Sequence, residues 1–328
     1  MKTYDVVGIG NAVVDVITHA DDSFLDLMGI EKGIMQLVDQ DRSEKLFSSM
    51  KDRLQTPGGS VANTVAGVGS LGLATGFIGR VRDDALGHFY ASAMTDNGID
   101  FVNPPVENSD VPTSRSMIFV APDGERSMNT FLGISTGLTS DDVSPEVAGN
   151  AKIMFLEGYL FDHDAGKTAF REAARSTKAG GGLAGIAISD PFCVERHRAD
   201  FLSLIENDLD YVIGNQQEIE CLFEMDFETA LSKTAEICPM VVATRSGDGV
   251  SILAQGKRID VPVDHIDPVD ATGAGDQFAA GFLYGVATNR EMEICAKMGN
   301  LCAAEVISHV GPRPHKDMMK EFVKLGFV

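Results

Sequence analysis

The fold of this chain is decided by residues 270–278, which read Asp-Ala-Thr-Gly-Ala-Gly-Asp-Gln-Phe. A strand-like segment, Arg258 to Val263, precedes this stretch. A helical pattern follows it, with apolar positions at Phe278, Phe282, Leu283 and Val286. A strand that passes through a glycine-rich turn into a helix is a unit of α/β proteins. The stretch therefore favours an α/β fold.

The chain on the N-terminal side of this stretch alternates in the same way. Short apolar or β-branched runs indicate buried strands at residues 6–9, 74–78, 153–156, 183–188, 211–213 and 240–243. Segments of helical length and pattern lie at residues 41–53, 60–70, 84–97, 165–180, 195–206, 216–223 and 228–237. This alternation predicts a doubly wound α/β sheet, mostly parallel and flanked by helices on both faces.

Two stretches, residues 11–37 and 99–134, break the alternation. They carry strand-like patterns without long helices between them, and Asp123-Gly124 predicts a hairpin turn in the second. We expect them to form a small β-sheet that serves as a lid. The predicted domains are a large α/β domain of residues 1–10, 38–98 and 135–328, and a small β lid of residues 11–37 and 99–134.

The composition excludes several classes of partner. The 328 residues include 27 Lys and Arg against 48 Asp and Glu, a net charge of −21, which argues against nucleic acid and against an anionic membrane surface. No apolar run approaches the roughly 18 residues that a membrane span needs. The cysteines are scattered without metal-binding spacing, at positions 193, 221, 238, 295 and 302. We expect a cytoplasmic protein with free thiols and no zinc site.

The 270–278 stretch has the chemistry of an anion site. Small residues at Gly273, Ala274 and Gly275 let the backbone approach an anion closely, and the first turn of the helix directs N–H groups and its positive dipole end toward it. Asp276 is placed to accept a proton from an attacking hydroxyl. We expect the dipole to keep Asp276 ionised without a raised pKa. In isolation, however, a glycine turn followed by Asp276 favours a simple helix cap over a catalytic base.

Two further segments suggest a ligand near the start of the chain. The segment Pro57 to Asn63 places two glycines before a helix, with Ser60 as a plausible N-cap and Asn63 offering a donor and an acceptor to a vicinal diol. The segment Gly8 to Asp15 fails as a dinucleotide fingerprint, because Val13 replaces the third glycine and a strand follows. Asp15 interrupts an apolar strand, so its carboxylate either faces solvent or binds a ligand.

These motifs together resemble the ribokinase-like carbohydrate kinases, also called the PfkB family. The 270–278 stretch is similar to the family motif Asp-Thr-Thr-Gly-Ala-Gly-Asp-x-Phe except at Ala271, and the matched segments extend from residue 8 to about residue 311. The Gly-Asn-x-x-x-Asp form of residues 10–15 is closest to adenosine kinases. The resemblance implies a ribokinase-like fold and a Mg-ATP-dependent kinase, with Asp276 as general base and Gly273, Ala274 and Gly275 as its anion hole.

The resemblance also assigns residues to the acceptor end of the site. The implied substrate-binding residues are Asn11, Asp15, Gly58, Gly59 and Asn63. Arg126, on the predicted hairpin, resembles a lid arginine that reaches the transferred phosphate, where lid closure would exclude water. Selectivity is expected to depend on side chains near the lid, among them Gln36, Tyr159 and Phe161.

At the nucleotide end the resemblance implies a second set of contacts. The implied ATP-binding residues are Asn215, Thr244, Gly247, Gly249 and Asn300. Ser246 departs from the family, which has a glycine there. Glu218 is implied in Mg²⁺ placement, through water, and Asp270 and Thr272 in a monovalent-cation site for K⁺.

The favoured function is therefore transfer of the ATP γ-phosphate to a hydroxyl of an adenosine-like nucleoside. Three alternatives remain: a kinase for a simple sugar or sugar acid of the ribose, fructose or ketodeoxygluconate type, a non-catalytic nucleoside- or sugar-binding protein, and, least favoured, an NAD-dependent dehydrogenase. Retention of the base and the glycine cradle argues against a non-catalytic binding protein, because such a protein needs no base. The expected partner is a small molecule, and the chain is either a monomer or a homodimer.

Overall fold

The computed structural model describes residues 2–328, with the backbone alone at residue 162. Within this range the strands, in chain order, are β1 Tyr4–Ile9, β2 Val13–His19, β3 Met35–Leu37, β4 Leu54–Gly58, β5 Thr75–Ile78, β6 Ile99–Phe101, β7 Ser114–Val120, β8 Arg126–Phe131, β9 Ala151–Glu157, β10 Leu183–Ala187, β11 Tyr211–Asn215, β12 Met240–Thr244, β13 Val250–Ala254 and β14 Lys257–Val261.

The α-helices of the same range lie between these strands and after the last of them. They are α1 Asp22–Met28, α2 Gln40–Ser49, α3 Ser60–Ser70, α4 Ala85–Asp96, α5 Pro145–Gly149, α6 Asp164–Ala179, α7 Pro191–Asp208, α8 Gln216–Phe223, α9 Phe227–Ile237, α10 Ala274–Ala287, α11 Met292–Val306 and α12 Met318–Lys324. Of the helices described in residues 2–328, none has both the length and the apolar character that crossing a membrane requires.

The larger of two sheets has the order β14-β13-β12-β11-β10-β9-β1-β5-β6. From β6 to β12 every neighbouring pair is parallel, and only β13 and β14 add antiparallel pairs at one edge. Parallel pairs need crossover connections, which the helices provide. The predicted mostly parallel α/β fold is confirmed.

Both faces of the large sheet are buried. Successive residues of a strand point to opposite faces, so Val6 joins one apolar cluster and Val7 the other. The first cluster contains Phe278 and Phe282 of α10, and the second contains Phe170 of α6 and its neighbours from α7. A sheet covered on both faces is rigid, which fixes the positions of the strand ends.

The smaller sheet has the order β3-β8-β7-β2-β4, and its two faces are covered to different extents. Its covered face carries Val14, Val16, Met117 and Phe119, which pack with the first apolar cluster. Register pairs place Asp15 on the other face, opposite Thr56 on one side and Ser116 on the other. The predicted hairpin is present, because β7 and β8 pair antiparallel across the Asp123-Gly124 turn.

Two strands belong to a different sheet from the one that the predicted boundaries gave them. β4, within the predicted large-domain block 38–98, pairs antiparallel with β2 in the small sheet. β6, at the start of the predicted lid block 99–134, pairs with β5 in the large sheet. Both were missed because β4 ends in Pro-Gly and β6 has three residues, so neither shows a strand-like pattern of its own. The block 11–37 contains one short helix, α1, of seven residues, in agreement with the expectation that it lacks long helices.

Candidate active site

Several of the residues assigned from sequence lie where the carboxyl ends of the parallel strands approach the Asp15 face of the small sheet. Asn215 and Thr244 end the adjacent parallel strands β11 and β12 and pair in register. On the small sheet, Arg126 of β8 reaches across to Asp270, in the loop before α10. Ligands of open α/β sheets bind beyond the carboxyl ends of the strands, so the location is that of a substrate site.

The N-terminus of α10 forms the predicted anion cradle. Gly273 occupies the N-cap with φ of 80°, the left-handed region that favours glycine, and a Cβ there would lie 2.6 Å from Pro312. Within residues 2–328, the amides of Gly275 and Asp276 donate to no acceptor. Unpaired amides and the positive end of a helix dipole favour an anion at this point.

Asp276, in the first turn of α10, is held by two donors. Ser60 Oγ donates to Oδ1 at 2.6 Å, and Asn63 Nδ2 donates to Oδ2 at 3.1 Å. Burial raises the pKa of Asp276 to about 6, although these two hydrogen bonds and the charge of Arg313 oppose the rise. The expectation of an unraised pKa is therefore wrong, because loss of water outweighs the helix dipole. A carboxylate with this pKa is still ionised at neutral pH and is a better proton acceptor than a surface aspartate.

Helix α3 brings the substrate-end motif to Asp276. Gly59 is its N-cap and makes no side-chain cap, so the predicted capping role of Ser60 is wrong. The Ser60 hydroxyl is directed at Asp276 instead. Asn63 is buried, and its two amide atoms contact Asp276 and Arg313. The amide predicted to receive a diol is thus also part of the support of the carboxylate.

Asp15 points from β2 onto the open face of the small sheet. Burial raises its pKa to about 6, the charges of Arg126 and Arg313 lower it, and the charge of Asp276 raises it. No donor within residues 2–328 forms a hydrogen bond with its carboxylate. A Cβ on Gly58 would lie 2.6 Å from Asp15 Oδ2, so the absence of a side chain there makes room for the carboxylate.

Asn11 and Glu157 lie beneath this region. Asn11 Nδ2 donates to Glu157 Oε1 at 2.8 Å, its Oδ1 accepts from Ser135 Oγ at 2.8 Å, and Val61 N donates to Glu157 Oε2 at 3.0 Å. Burial raises the pKa of Glu157 to about 7, which the donors from Val61 and Asn11 oppose. Sequence reasoning missed Glu157. The available signal was an acidic residue directly after a buried parallel strand.

Arg126 and Asp270 form an ion pair between the small sheet and the loop before α10. The distance from Arg126 Nη1 to Asp270 Oδ2 is 3.2 Å. The same carboxylate accepts from the amides of Thr272 at 2.9 Å and Gly311 at 3.0 Å. Burial would raise the pKa of Asp270, but these donors and the Arg126 charge hold it below its ordinary value. Of the two predicted cation residues, Asp270 therefore contacts both Thr272 and Arg126.

Asn215 and Glu218 form a reciprocal capping box at the start of α8. Asn215 Oδ1 accepts from Glu218 N at 2.9 Å, and Glu218 Oε2 accepts from Asn215 N at 2.9 Å. Burial raises the pKa of Glu218 to about 7, and the charge of Asp190 adds to the rise. A buried carboxylate with a second carboxylate nearby lacks positive charge, which a bound cation would supply.

The predicted nucleotide turn follows β12. It contains Ser246 in the left-handed region with φ of 48°, the exposed Gly247, and Gly249 with φ of 88°. Ser246 adopts a backbone conformation that glycine takes without strain. This conformation explains why glycine was expected at the position. Asn300 lies on α11, and its buried Nδ2 has no partner within the described residues. Within residues 2–328, no hydrogen bond links Asn300 to the turn.

The three side chains expected to set selectivity lie in three different environments. Gln36 lies opposite Asn129, on the face of the small sheet away from Asp15, and its amide donates to Glu31 at 2.9 Å. Phe161 is 1% exposed and stacks on Phe201 with ring centroids 4.0 Å apart. These two expectations are wrong, because one residue faces the wrong side and the other belongs to the core. Tyr159 is partly buried, and burial together with nearby Asp190 raises its pKa.

Arg313 is a second residue that sequence reasoning missed. It lies in the loop after α11, and its Nη2 donates to Pro57 O at 2.9 Å. The available signal was a single basic residue between two prolines, Pro312 and Pro314, just after the segment assigned to the nucleotide pocket.

Comparison with known proteins agrees with this geometry. The model of the pfkB family carbohydrate kinases matches residues 33–317. An adenosine kinase from Sinorhizobium meliloti has a crystal structure similar to this chain, with a TM-score of 0.88 and 42% identity, over 98% of this chain and 99% of that one.

Two curated relatives are sugar kinases. An uncharacterized sugar kinase from Archaeoglobus fulgidus is 28% identical over 254 residues, which is 75% of this chain and 96% of the relative. A fructokinase from Klebsiella pneumoniae is 27% identical over 252 residues, 72% of this chain and 78% of the relative. The sequence, the fold and the site lead to one assignment. This chain belongs to the pfkB family of carbohydrate kinases, which use ATP to phosphorylate a hydroxyl group.

Proposed function

We propose that this protein transfers the γ-phosphate of ATP to a hydroxyl of an adenosine-like nucleoside, with Asp276 as the general base. One observation carries the proposal: the Asp276 carboxylate, whose pKa burial raises to about 6, lies beside unpaired amides at the N-terminus of α10. A base and an anion site on one helical turn suit a hydroxyl that loses a proton as it bonds to phosphorus.

The proposed step is an in-line displacement. The acceptor oxygen bonds to the γ-phosphorus, its proton passes to Asp276, and the bond from phosphorus to the bridging oxygen breaks so that ADP leaves with the electron pair. The Gly275 and Asp276 amides donate to the oxygens of the transferring group. Hydrogen bonds from Ser60 and Asn63 hold the base in one orientation, which preserves its alignment with the acceptor.

Mg²⁺ fits the nucleotide end. Glu218 and Asp190 are two neighbouring carboxylates, and burial raises the pKa of the former to about 7. Within residues 2–328 no group of three His, Cys, Asp or Glu side chains could hold a metal ion directly. Mg²⁺ commonly keeps several waters and uses few protein ligands, so we assign Glu218 to its placement through water. The ion would neutralise charge on the transferring phosphate.

K⁺ does not fit Asp270 in this arrangement. The carboxylate already accepts from Arg126, Thr272 and Gly311. A monovalent cation there would compete with the guanidinium of Arg126. We therefore route no step of the transfer through a cation at this site.

The small sheet is proposed as a lid whose open face contacts the acceptor. The Asp15 carboxylate, which has no donor within the described residues, suits the hydroxyls of a ribose. Register pairs place apolar side chains on the same face, namely Ile17, Met35, Leu37, Leu54 and Met128. An apolar surface beside a diol-binding carboxylate favours a nucleoside, whose base is flat and apolar on its faces, over a bare sugar.

Arg126 is proposed to exchange partners during the reaction. Its Nε is buried without a partner among residues 2–328, and its Nη1 is paired with Asp270. The γ-phosphate at the N-terminus of α10 would offer this guanidinium a second anion. A shift from Asp270 toward the phosphate would then close the small sheet over the site and exclude water.

A simple sugar is the second candidate acceptor. The similarity to a fructokinase and to a sugar kinase supports it, and a furanose also presents hydroxyls to Asp15. A sugar acid stays an alternative acceptor, because the charges of Arg126 and Arg313 act on the same region as the carboxylates of Asp15 and Asp276.

The deciding experiment measures ADP release with Mg-ATP against nucleosides, ribose, fructose and 2-keto-3-deoxygluconate. We expect adenosine to give the highest kcat/KM, and Asp276→Asn to abolish turnover in the same panel. Turnover on fructose or ribose without adenosine turnover replaces the nucleoside proposal with the sugar kinase. Binding without turnover on every acceptor would support a non-catalytic binding protein.

We further propose that the chain functions in the cytoplasm, where its thiols stay reduced, and as a monomer or homodimer. Light scattering of the purified chain at two concentrations distinguishes the two assemblies. Fractionation of the native host tests the compartment.

A further inference from the structure

The loop that carries Arg313 is anchored on both sides. Before Arg313, Gly311 N donates to Asp270 Oδ2 at 3.0 Å, and Pro312 O accepts from the buried Gln277 Nε2 at 3.1 Å. After it, the amides of residues 315 and 316 donate to the buried carboxylate of Glu305 at 3.2–3.3 Å. Arg313 therefore projects from a fixed backbone, and its guanidinium has a defined position.

The guanidinium joins the C-terminal loop to the acceptor end of the site. Its Nε donates to Asn63 Oδ1 at 3.3 Å, and its Nη2 donates to Pro57 O at 2.9 Å. Within residues 2–328 its Nη1 forms no hydrogen bond. One edge of the fork is engaged with protein, and the remaining nitrogen is available to a ligand.

The bond to Asn63 determines which way that amide is turned. Because Asn63 Oδ1 accepts from Arg313, Asn63 Nδ2 is left to donate to Asp276 Oδ2 at 3.1 Å. The reversed amide would place its oxygen against the Asp276 carboxylate and its N–H groups against a cation. Arg313 thus fixes a relay of hydrogen bonds from the loop to the base.

Arg313 also supplies positive charge to two buried carboxylates. Its charge lowers the pKa values of Asp15 and Asp276, which burial raises. Burial lowers the pKa of Arg313 itself, and the neighbouring Tyr90, Asp15 and Asp276 oppose that change.

The other titratable groups around these carboxylates come from several elements. Arg126 of β8 faces Asp15, and the charge of Asp276 acts on Glu157 of β9 and on Tyr159. Among the residues that act on Asp276, Arg313 is the one cation that the described part of the chain provides.

We propose that Arg313 is a positioning residue for the phosphoryl transfer, which turns the Asn63 amide toward Asp276 and holds a positive charge near the Asp276 carboxylate. The inference rests on the proposed function, because it takes Asp276 as the base. It predicts two separable contributions of one side chain, its charge and its forked geometry.

Two substitutions separate these contributions. Arg313→Met removes both the charge and the forked geometry. The acid limb of the pH profile of kcat/KM should therefore move to higher pH by about half a unit or more, and kcat/KM at pH 6.5 should be lower by about 10- to 100-fold. Arg313→Lys keeps the charge and loses the fork, so the acid limb should stay while KM for the acceptor rises about 3- to 10-fold. Arg171→Met is the matched control: Arg171 is partly buried, pairs with Asp208 between α6 and α7, and should leave both the limb and KM unchanged.

A purely structural role makes a different prediction. If Arg313 only tethered its loop, the Met variant would lose thermal stability while its acid limb coincided with that of the wild type. That result overturns the proposal.

The relay is tested by combining Arg313→Lys with Asn63→Ala. The double variant should lose little more kcat/KM than Asn63→Ala alone. If the two losses of kcat/KM multiply independently, the relay is contradicted.

A measurement without turnover separates failure of this inference from failure of the proposed function. Carboxyl ¹³C titration, with the Asp276 signal assigned by its loss in Asp276→Asn, should show the Asp276 pKa rising in Arg313→Met. If the wild type phosphorylates no acceptor, the proposed function fails and this titration still decides the Arg313 inference. If Arg313→Met does not fold, the same titration is made on Arg313→Gln, and an unmoved Asp276 signal refutes the inference.

Discussion

The large and small sheets of this protein differ in how completely their faces are covered. The large sheet is packed by helices on both faces, so alternate strand residues enter two separate apolar clusters. One face of the small sheet packs into the first apolar cluster, and the face that carries Asp15 is partly exposed, with Ile118 buried and Leu37 59% exposed. The difference predicts that the large sheet contributes most of the stability, and that the small sheet contributes the proposed contacts to the acceptor.

Buried carboxylates mark the junction between the two sheets. Burial raises the pKa values of Asp15 and Asp276 to about 6 and of Glu157 to about 7. Ionisation of any of these groups destabilises the folded protein, because burial removes the water that would solvate the charge and the neighbouring protein groups replace only part of that solvation. The rigid large sheet is what allows the molecule to hold them in place.

The largest expected effect is at Asp276, where the two sheets meet. Asp276→Asn keeps the shape of the side chain and removes the base, so kcat should fall by about 10³-fold while the Kd of the acceptor changes little. Single-turnover kinetics with isothermal titration measure the two quantities. A variant that retains more than a tenth of wild-type kcat contradicts the assignment of the base.

A pair of apolar substitutions tests the comparison itself. Phe161→Ala, in the core of the large sheet, should lower the free energy of unfolding by about 3–4 kcal/mol through the cavity it leaves. Leu37→Ala, 59% exposed on the small sheet, should change it by less than about 0.5 kcal/mol but raise KM for a nucleoside about 3-fold. Urea unfolding and steady-state kinetics of both variants provide the readout. Equal losses of stability would abolish the distinction between the sheets.

Asp15 is expected to act on binding rather than on chemistry. Asp15→Ala should raise KM for the acceptor by about 10- to 100-fold, the contribution of hydrogen bonds to a charged group, with a smaller change in kcat. Asp123→Ala is a control on the same sheet, because Asp123 pairs with the exposed Lys32 on the hairpin. A loss confined to kcat would place Asp15 in the chemical step instead.

The smallest expected effect is a dependence of stability on pH. The folded-state pKa of Asp276 is about 6, above its ordinary value of 3.8, so its ionisation disfavours the folded state above pH 6, and this penalty disappears as the pH falls below 4. Asp276→Asn should therefore be more stable than the wild type by about 1–2 kcal/mol at pH 8 and nearly equal to it at pH 4. Urea titrations at both values measure the difference, and equal stabilities of the two proteins at pH 8 would contradict the prediction.

Most of the large sheet could be predicted from sequence because its strands are continuous apolar runs. The runs at 153–156 and 211–213, for example, lie within β9 and β11. β4 and β6 could not be predicted in the same way, because their pairing is set by tertiary contacts with β2 and β5.

The candidate site residues that sequence supplied come from motifs whose residue types indicate a chemistry, and the ones it missed depend on how the chain folds. The 270–278 motif led directly to Asp276. Glu157 and Arg313 lie far from that motif in sequence, and only the fold brings them to it. The raised pKa of Asp276 was missed for a related reason: burial is a property of the whole molecule, whereas a helix dipole can be inferred from one segment.

The close approach of Gly58 to Asp15 has a consequence for how such proteins can evolve. A side chain at position 58 would occupy the space of the Asp15 carboxylate. A substitution there would turn the Asp15 carboxylate away from its present position and so remove the acceptor contact proposed for it. A single mutation at position 58 could therefore change the acceptor without altering Asp15 itself.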